Sequence, residues 1–254
     1  MKRLAGALFG ALVAAQLLYG KLARLRTPAG TKAIVGLLLG ASSAEALAAR
    51  GSLRGGALVG SAAAVGFASE LAGVATGTPF GHYTYTDMLG RKIGGVPVAA
   101  AAAWAMMARP AWVVAGLLAR RRVVRVALAS WALTAWDVFL DPRMVREGYW
   151  VWPSGGRYEG VPVSNFLGWL VTGAGVFALW ALIDGDDEPA VDGDGALALY
   201  TWTWMGELVA NLFIWRRPRV ALAGGVAMGA VAVPALLVRL RAPAAGFASA
   251  PATR

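Results

Sequence analysis

Four acidic residues stand inside long apolar runs of this chain: Glu45, Glu70, Asp137 and Glu207. An ionised carboxylate is expensive in hydrocarbon, so acids in such positions are functional candidates by default. Asp141 follows Asp137 by one helical turn and falls on the same face. Near Glu70 and Asp137 the chain places Phe80, His82, Tyr83, Tyr85, Trp136, Trp150, Trp152, Tyr158 and Trp169, a density of electron-rich rings beyond an ordinary interfacial belt. A carboxylic acid removed from water keeps its proton to higher pH and can act as a general acid near neutrality. Indole and phenol faces stabilise a developing cation, by about 2 kcal/mol or more each when desolvated. Together these groups have the chemistry to protonate an alkene. Glu70, Asp137 and Asp141 are therefore the catalytic candidates, and the rings, with Tyr83, Tyr85, Trp150 and Trp152 foremost, are the expected pocket wall. Asn165 either holds a water or bridges helices, and His82 either relays a proton or holds a loop tyrosine. Arg109, in mid-run, is expected to pair with a buried acid, and Glu207 with Asn211 one turn on.

Positioning such groups requires helices in a membrane. The chain has 254 residues, 58% hydrophobic, with a mean hydropathy of +0.58. Its apolar residues come in runs of about 17 to 24, each enough to cross roughly 30 Å of hydrocarbon. Eight segments qualify: 4–20, 33–49, 55–76, 96–119, 123–140, 163–183, 196–214 and 220–238. The fold class expected is all-α, a polytopic membrane bundle of seven to eight transmembrane helices. Cysteine is absent and His82 is the single histidine, which argues against disulfides, iron–sulfur clusters and clustered-histidine metal centres. No metal and no cofactor are expected. The formal charge of +10 is scattered over loops and helix ends, which points to anionic lipid headgroups and away from nucleic acid. Lysine and arginine divide almost evenly between the two faces, so the positive-inside rule orients the chain only weakly.

Two stretches repeat. Gly95 to Trp104 reads GVPVAAAAAW, and 65 residues later Gly160 to Trp169 reads GVPVSNFLGW. Each follows a loop of Gly, Pro and aromatics, and at the same offset Tyr85 falls on Trp150 and Lys92 on Arg157. The pattern of helix, aromatic loop, Gly-Val-Pro-Val, helix predicts parallel repeats about a pseudo-twofold axis along the membrane normal. In each copy the proline stands near the first helical turn, where a missing N–H is harmless. The organisation expected is a single transmembrane domain over 1–241, with a core at 70–180, a flexible acidic loop at 184–195 and a disordered tail at 242–254.

ELAGVATGTPFGHYTYTDMLG (Glu70 to Gly90), GVPVAAAAAW, WDVFLDPRMVREGYWVW (Trp136 to Trp152) and YEGVPVSNFLGW (Tyr158 to Trp169) resemble, in order and wording, a family of integral-membrane carotenoid biosynthesis proteins. Its members are carotenoid hydratases of the bisanhydrobacterioruberin hydratase and carotenoid 1',2'-hydratase type. The resemblance implies addition of water to the terminal double bond of an acyclic carotenoid, giving a tertiary alcohol without redox change. It implies a carotenoid polyene, water and the bilayer as partners, other carotenoid pathway enzymes as neighbours, and the cell membrane of a prokaryote as location. The residues leave open whether Asp137 or Glu70 donates the proton, with the other acid or Asp141 as base. Rival readings are a cyclase, disfavoured by the absence of a Pro-Glu-Glu motif, and a transporter or carotenoid-binding scaffold, disfavoured by polar groups gathered at one face. A retinal pump is disfavoured because Lys2, Lys21, Lys32 and Lys92 all fall outside the expected spans. Prenyl transfer lacks paired Asp-rich motifs.

Overall fold

The computed structural model describes residues 1–184 and 193–241; of the acidic loop expected at 184–195, residues 185–192 lie outside the described residues, as does the tail over 242–254, while Asp184 closes one helix and Asp194 and Gly195 open the next. Among the described residues there are seven α-helices: α1 (Lys2–Lys21), α2 (Pro28–Thr76), α3 (Val98–Leu118), α4 (Arg122–Arg146), α5 (Val163–Asp184), α6 (Asp194–Val209) and α7 (Pro218–Arg241). Six of them are long and apolar enough to cross a membrane. A π-turn over Ala210–Ile214 extends the shorter α6. The result is an all-α membrane bundle.

The 49-residue α2 is two rods. Gly51 breaks it with φ 76° and ψ 168°, a conformation open to glycine and strained for other residues. Past the break the chain doubles back. A Cβ on Gly55 would lie 2.7 Å from the Ala46 carbonyl oxygen, whereas a continuous helix would separate these residues by roughly 13 Å. The eight segments expected from hydropathy thus appear as eight rods. Thr27 caps the first leg, accepting from the Gly30 N–H at 3.2 Å with Pro28 at the first helical position. Gly77, left-handed at φ 78°, ends the second. This early start is a correction: Lys32, expected in a loop, lies within α2.

The repeat is visible in the backbone. Of four short strands, β1 (Thr84–Tyr85), β2 (Lys92–Ile93), β3 (Val96–Pro97) and β4 (Trp150–Val151), β1 pairs with β4 and ties the two aromatic loops together, while β2 and β3 form a hairpin that ends the first loop. Ile93 pairs with Val96 across Gly94 and Gly95 at φ 57° and 83°, and 65 residues on Tyr158 bridges Val161 across Glu159 and Gly160 at φ 54° and 88°. Both are two-residue turns with positive φ at both central positions, the requirement of type I′. Equivalent residues touch only on a twofold axis, and three such pairs do. Tyr85 and Trp150 are cross-strand partners between β1 and β4. Trp104 of α3 stacks on Trp169 of α5 at 4.0 Å, and Trp112 on Phe177 at 5.7 Å. The axis therefore descends from the loop layer between α3 and α5.

Candidate active site

On the loop side of the bundle, a cavity of about 270 Å³ lies between the first leg of α2, α3 and the two aromatic loops. Glu70 forms one wall. Tyr83 and Tyr85, carried by the loop that the Gly77 cap turns back over α2, both donate to Glu70 Oε2, Tyr85 at 2.8 Å. From α3 the Trp104 indole donates to Oε1 at 3.1 Å. Missing side chains make room for these rings: a Cβ on Gly66 would fall 2.0 Å from Trp104, and one on Gly73 would fall 2.7 Å from Phe80. Burial, then the Glu70 carboxyl, push both phenols up from their ordinary value, so Tyr83 and Tyr85 keep their protons and donate.

Opposite Glu70, Asp137 and Asp141 on consecutive turns of α4 share one partner. Asn165 Nδ2, near the start of α5, donates to Asp137 Oδ2 at 2.9 Å and to Asp141 Oδ2. Asp141 lines the cavity; Asp137, 0% exposed, lies behind it, and its Oδ1 meets no donor among the described residues. The ion pairs formed among the described residues involve other acids. Glu70 and Asp141 thus face an apolar cavity from the two repeat halves, with Asp137 behind, and among the described residues all three carboxyls meet neutral hydrogen-bond donors only. Such groups can exchange protons because no guanidinium locks them in the charged form.

Of the expected wall, Phe80, Tyr83, Tyr85, Trp150, Trp152 and Trp169 line the cavity, as does Asn165. The rings brace one another: Tyr83 lies 5.5 Å from Trp152, and Tyr85 5.5 Å from Trp150. Trp152 donates to the Phe80 carbonyl at 3.0 Å, holding the two loops together. Trp136 is placed one layer back, edge-on to Trp169 at 6.1 Å. His82 is exposed, outside the residues that border the cavity. Tyr158 reaches away, donating to the Val138 carbonyl at 3.1 Å. Glu45 is on the opposite side, bound by Arg109 at 2.7 Å, the pairing expected of that arginine. Glu207 accepts from Asn211 at 3.3 Å, away from the cavity.

Among the residues at the site that escape sequence reasoning are Trp104, Lys32 and Met106. Trp104 stood out only as a mark of the repeat, although it grips Glu70. Lys32 borders the cavity because α2 begins one turn earlier than hydropathy suggests. Met106 borders it too, and nothing in its apolar surroundings distinguishes it from a core methionine.

A family model described as "Carotenoid biosynthesis protein" matches residues 31–233, wider than the motif core at 70–180. A bisanhydrobacterioruberin hydratase from Haloarcula japonica is 34% identical over 110 residues, which cover 41% of this chain and 37% of that protein. The matched part therefore spans well under two thirds of the relative. No solved structure matches the chain significantly.

Proposed function

Since the chain belongs to the carotenoid biosynthesis protein family, we propose that it is a carotenoid hydratase, adding water across the terminal double bond of an acyclic end group. The observation that carries this reading is the pairing of Glu70 with Asp141 across one aromatic cavity, each held by neutral donors. Hydrogen-bond inventory divides their roles. An ionised carboxylate offers about four acceptor sites, and Glu70 fills three with Tyr83, Tyr85 and Trp104. It is the carboxylate, with one site left for a water. Asp137 and Asp141 share a single amide nitrogen, and two like charges so placed oppose each other, so the pair retains a proton between them.

Asp141, backed by Asp137, passes that proton to the less substituted alkene carbon. The π electrons form the new C–H bond and leave a tertiary cation on the neighbouring carbon. Tyr83, Tyr85, Trp150 and Trp152 face it. The water held by Glu70 attacks the cation through oxygen, its extra proton passes to Glu70, and exchange with solvent returns a proton to the aspartate pair. The net change is one water added and no electron transferred, which makes the activity that of a hydro-lyase. The substrate is a polyene dissolved in the bilayer, and a prokaryotic cell membrane is the setting that fits.

The test uses membranes holding the full chain, incubated with lycopene in ¹⁸O-labelled water, with pigments analysed by mass spectrometry. The expected product is more polar and heavier by one or two labelled waters. A product of unchanged mass would mean internal capture of the cation, as in cyclisation, and unchanged lycopene would overturn the reading for acyclic ends.

A further inference from the structure

We propose that the polyene reaches the site sideways from the bilayer, through a cleft between the first leg of α2 and α3 with Gly36 at its lip; this deepens the hydratase reading and rests on it. The cavity of about 270 Å³ lies just under the range of roughly 300–1,000 Å³ for sites that enclose a drug-sized ligand. It houses an end group, and the rest of a long polyene must extend outside.

The lining shows where. The acids and rings come from the second leg of α2, the aromatic loops, α4 and α5, while Val35, Gly36 and Leu39 come from the first leg of α2 and Ala99, Ala103 and Met106 from α3. Gly36 is exposed, and Val35, Leu39, Ala99 and Ala103 are half-buried. Residues that border a cavity and also face outward mark its mouth. A Cβ added to Gly36 would meet nothing within 4 Å, so the gap there is open. Further along α3 the exposure ends, since Trp104 to Ala115 are all buried.

Depth decides what passes. Gly36 stands eight residues past the start of α2, and Met106 eight past the start of α3, each roughly 12 Å in from the loop-side helix ends. That depth lies in hydrocarbon. The lip residues Val35, Gly36, Leu39, Ala99 and Ala103 are apolar, so at this depth the cleft suits a hydrocarbon chain, while the exposed Lys32 borders the cavity one turn nearer the loops, at headgroup level. Water, by contrast, reaches Glu70 from the loop side. The two reactants then meet from perpendicular directions.

The chain has no cysteine, so one introduced thiol is the sole labelling site. Gly36→Cys is compared with Val171→Cys, which lies at the same depth on α5 with Val171 68% exposed and away from the cavity. Both full-length variants, in lipid vesicles with or without lycopene, are reacted with a membrane-permeant maleimide. Lycopene is expected to slow labelling of Gly36→Cys by about tenfold, a differential occupancy of about 1.4 kcal/mol, and to leave Val171→Cys unchanged. Equal slowing at both positions, or none at Gly36→Cys, overturns the cleft. In a second arm Gly36→Trp, which overfills the lip, is expected to reduce lycopene turnover by about tenfold or more, against within about twofold for Val171→Trp. Equal turnover of these two also overturns it. If wild-type chain leaves lycopene unhydrated yet lycopene still protects Gly36→Cys, the cleft stands and the hydratase reading fails.

Discussion

Helix α3 presents two tryptophans two turns apart, and each donates its indole N–H to a buried carboxylate: Trp104 to Glu70 on the loop side, Trp112 to Asp184 at 2.9 Å on the other. Each also stacks on its repeat equivalent. The rest of the two environments differs. Asp184 is held by Arg50 at 2.6 Å, and the Arg125 guanidinium lies 3.8 Å away while covering the Trp112 ring at 3.6 Å. Beside it Arg109, 1% exposed, grips Glu45 with two nitrogens. Glu70 has two phenols in place of guanidinium groups. An acid next to arginine stays ionised and serves as a tie between helices. An acid met only by neutral donors can take or release a proton at modest cost, and Glu70, Asp137 and Asp141 are such acids at the loop-side cavity.

Exchanging protons on the loop side should therefore cost activity, and breaking ties on the other side should cost stability. The largest effect is expected from Asp141→Asn and Glu70→Gln, each lowering hydration by about 10²- to 10⁴-fold in protein that still melts near the wild-type temperature. If both retained wild-type turnover, the loop-side cluster would be structural like its counterpart. Next comes Arg109→Met, expected to destabilise by about 3–5 kcal/mol through the stranded Glu45, read by thermal melting in detergent, with turnover per folded molecule preserved. The double variant Glu45→Leu with Arg109→Met should recover most of that loss, because no buried charge is left alone. Recovery would sharpen the contrast, and its absence would assign the pair a role beyond charge compensation.

A smaller effect is expected from Tyr85→Phe, which removes one hydrogen bond to a charged group, worth about 1.5–3 kcal/mol, and so lowers turnover by about tenfold or more. Smallest is the phenols' imprint on pH. Both titrate higher in the folded chain than unfolded, so their contribution is complete below about pH 10 and lost only as pH rises beyond it. A rate profile should show no limb from them below about pH 10, and Tyr85→Phe should leave any limb below that point in place.

Much of this was legible in advance where one residue type has one physical meaning. Acids in apolar runs identified Glu70 and Asp137, and helical spacing added Asp141 to the same face. Rings near proline-rich loops identified most of the cavity wall. His82 and Trp136 joined that wall because proximity in sequence does not specify which way a side chain points; one faces outward and the other packs behind Trp169. The repeat was readable from ten residues, yet its strongest signs, two matched positive-φ turns and three touching pairs of equivalents, needed coordinates. Extending the offset of 65 to Trp112 and Phe177 would have found one more of them.

By itself the sequence determined that this chain is an all-α membrane bundle of seven to eight spans, and predicted a repeat within it, because burial of backbone polar groups in lipid leaves hydropathy few solutions. Only the tertiary structure decided which acids stand beside arginine and which do not. Glu45 and Glu70 both read as acids in apolar runs; the fold-back at Gly51 carries one toward Arg109 and the other toward two tyrosines. That partition depends on contacts between residues tens of positions apart, which no local pattern encodes, and it separates the acids that fasten the bundle from those free to move a proton.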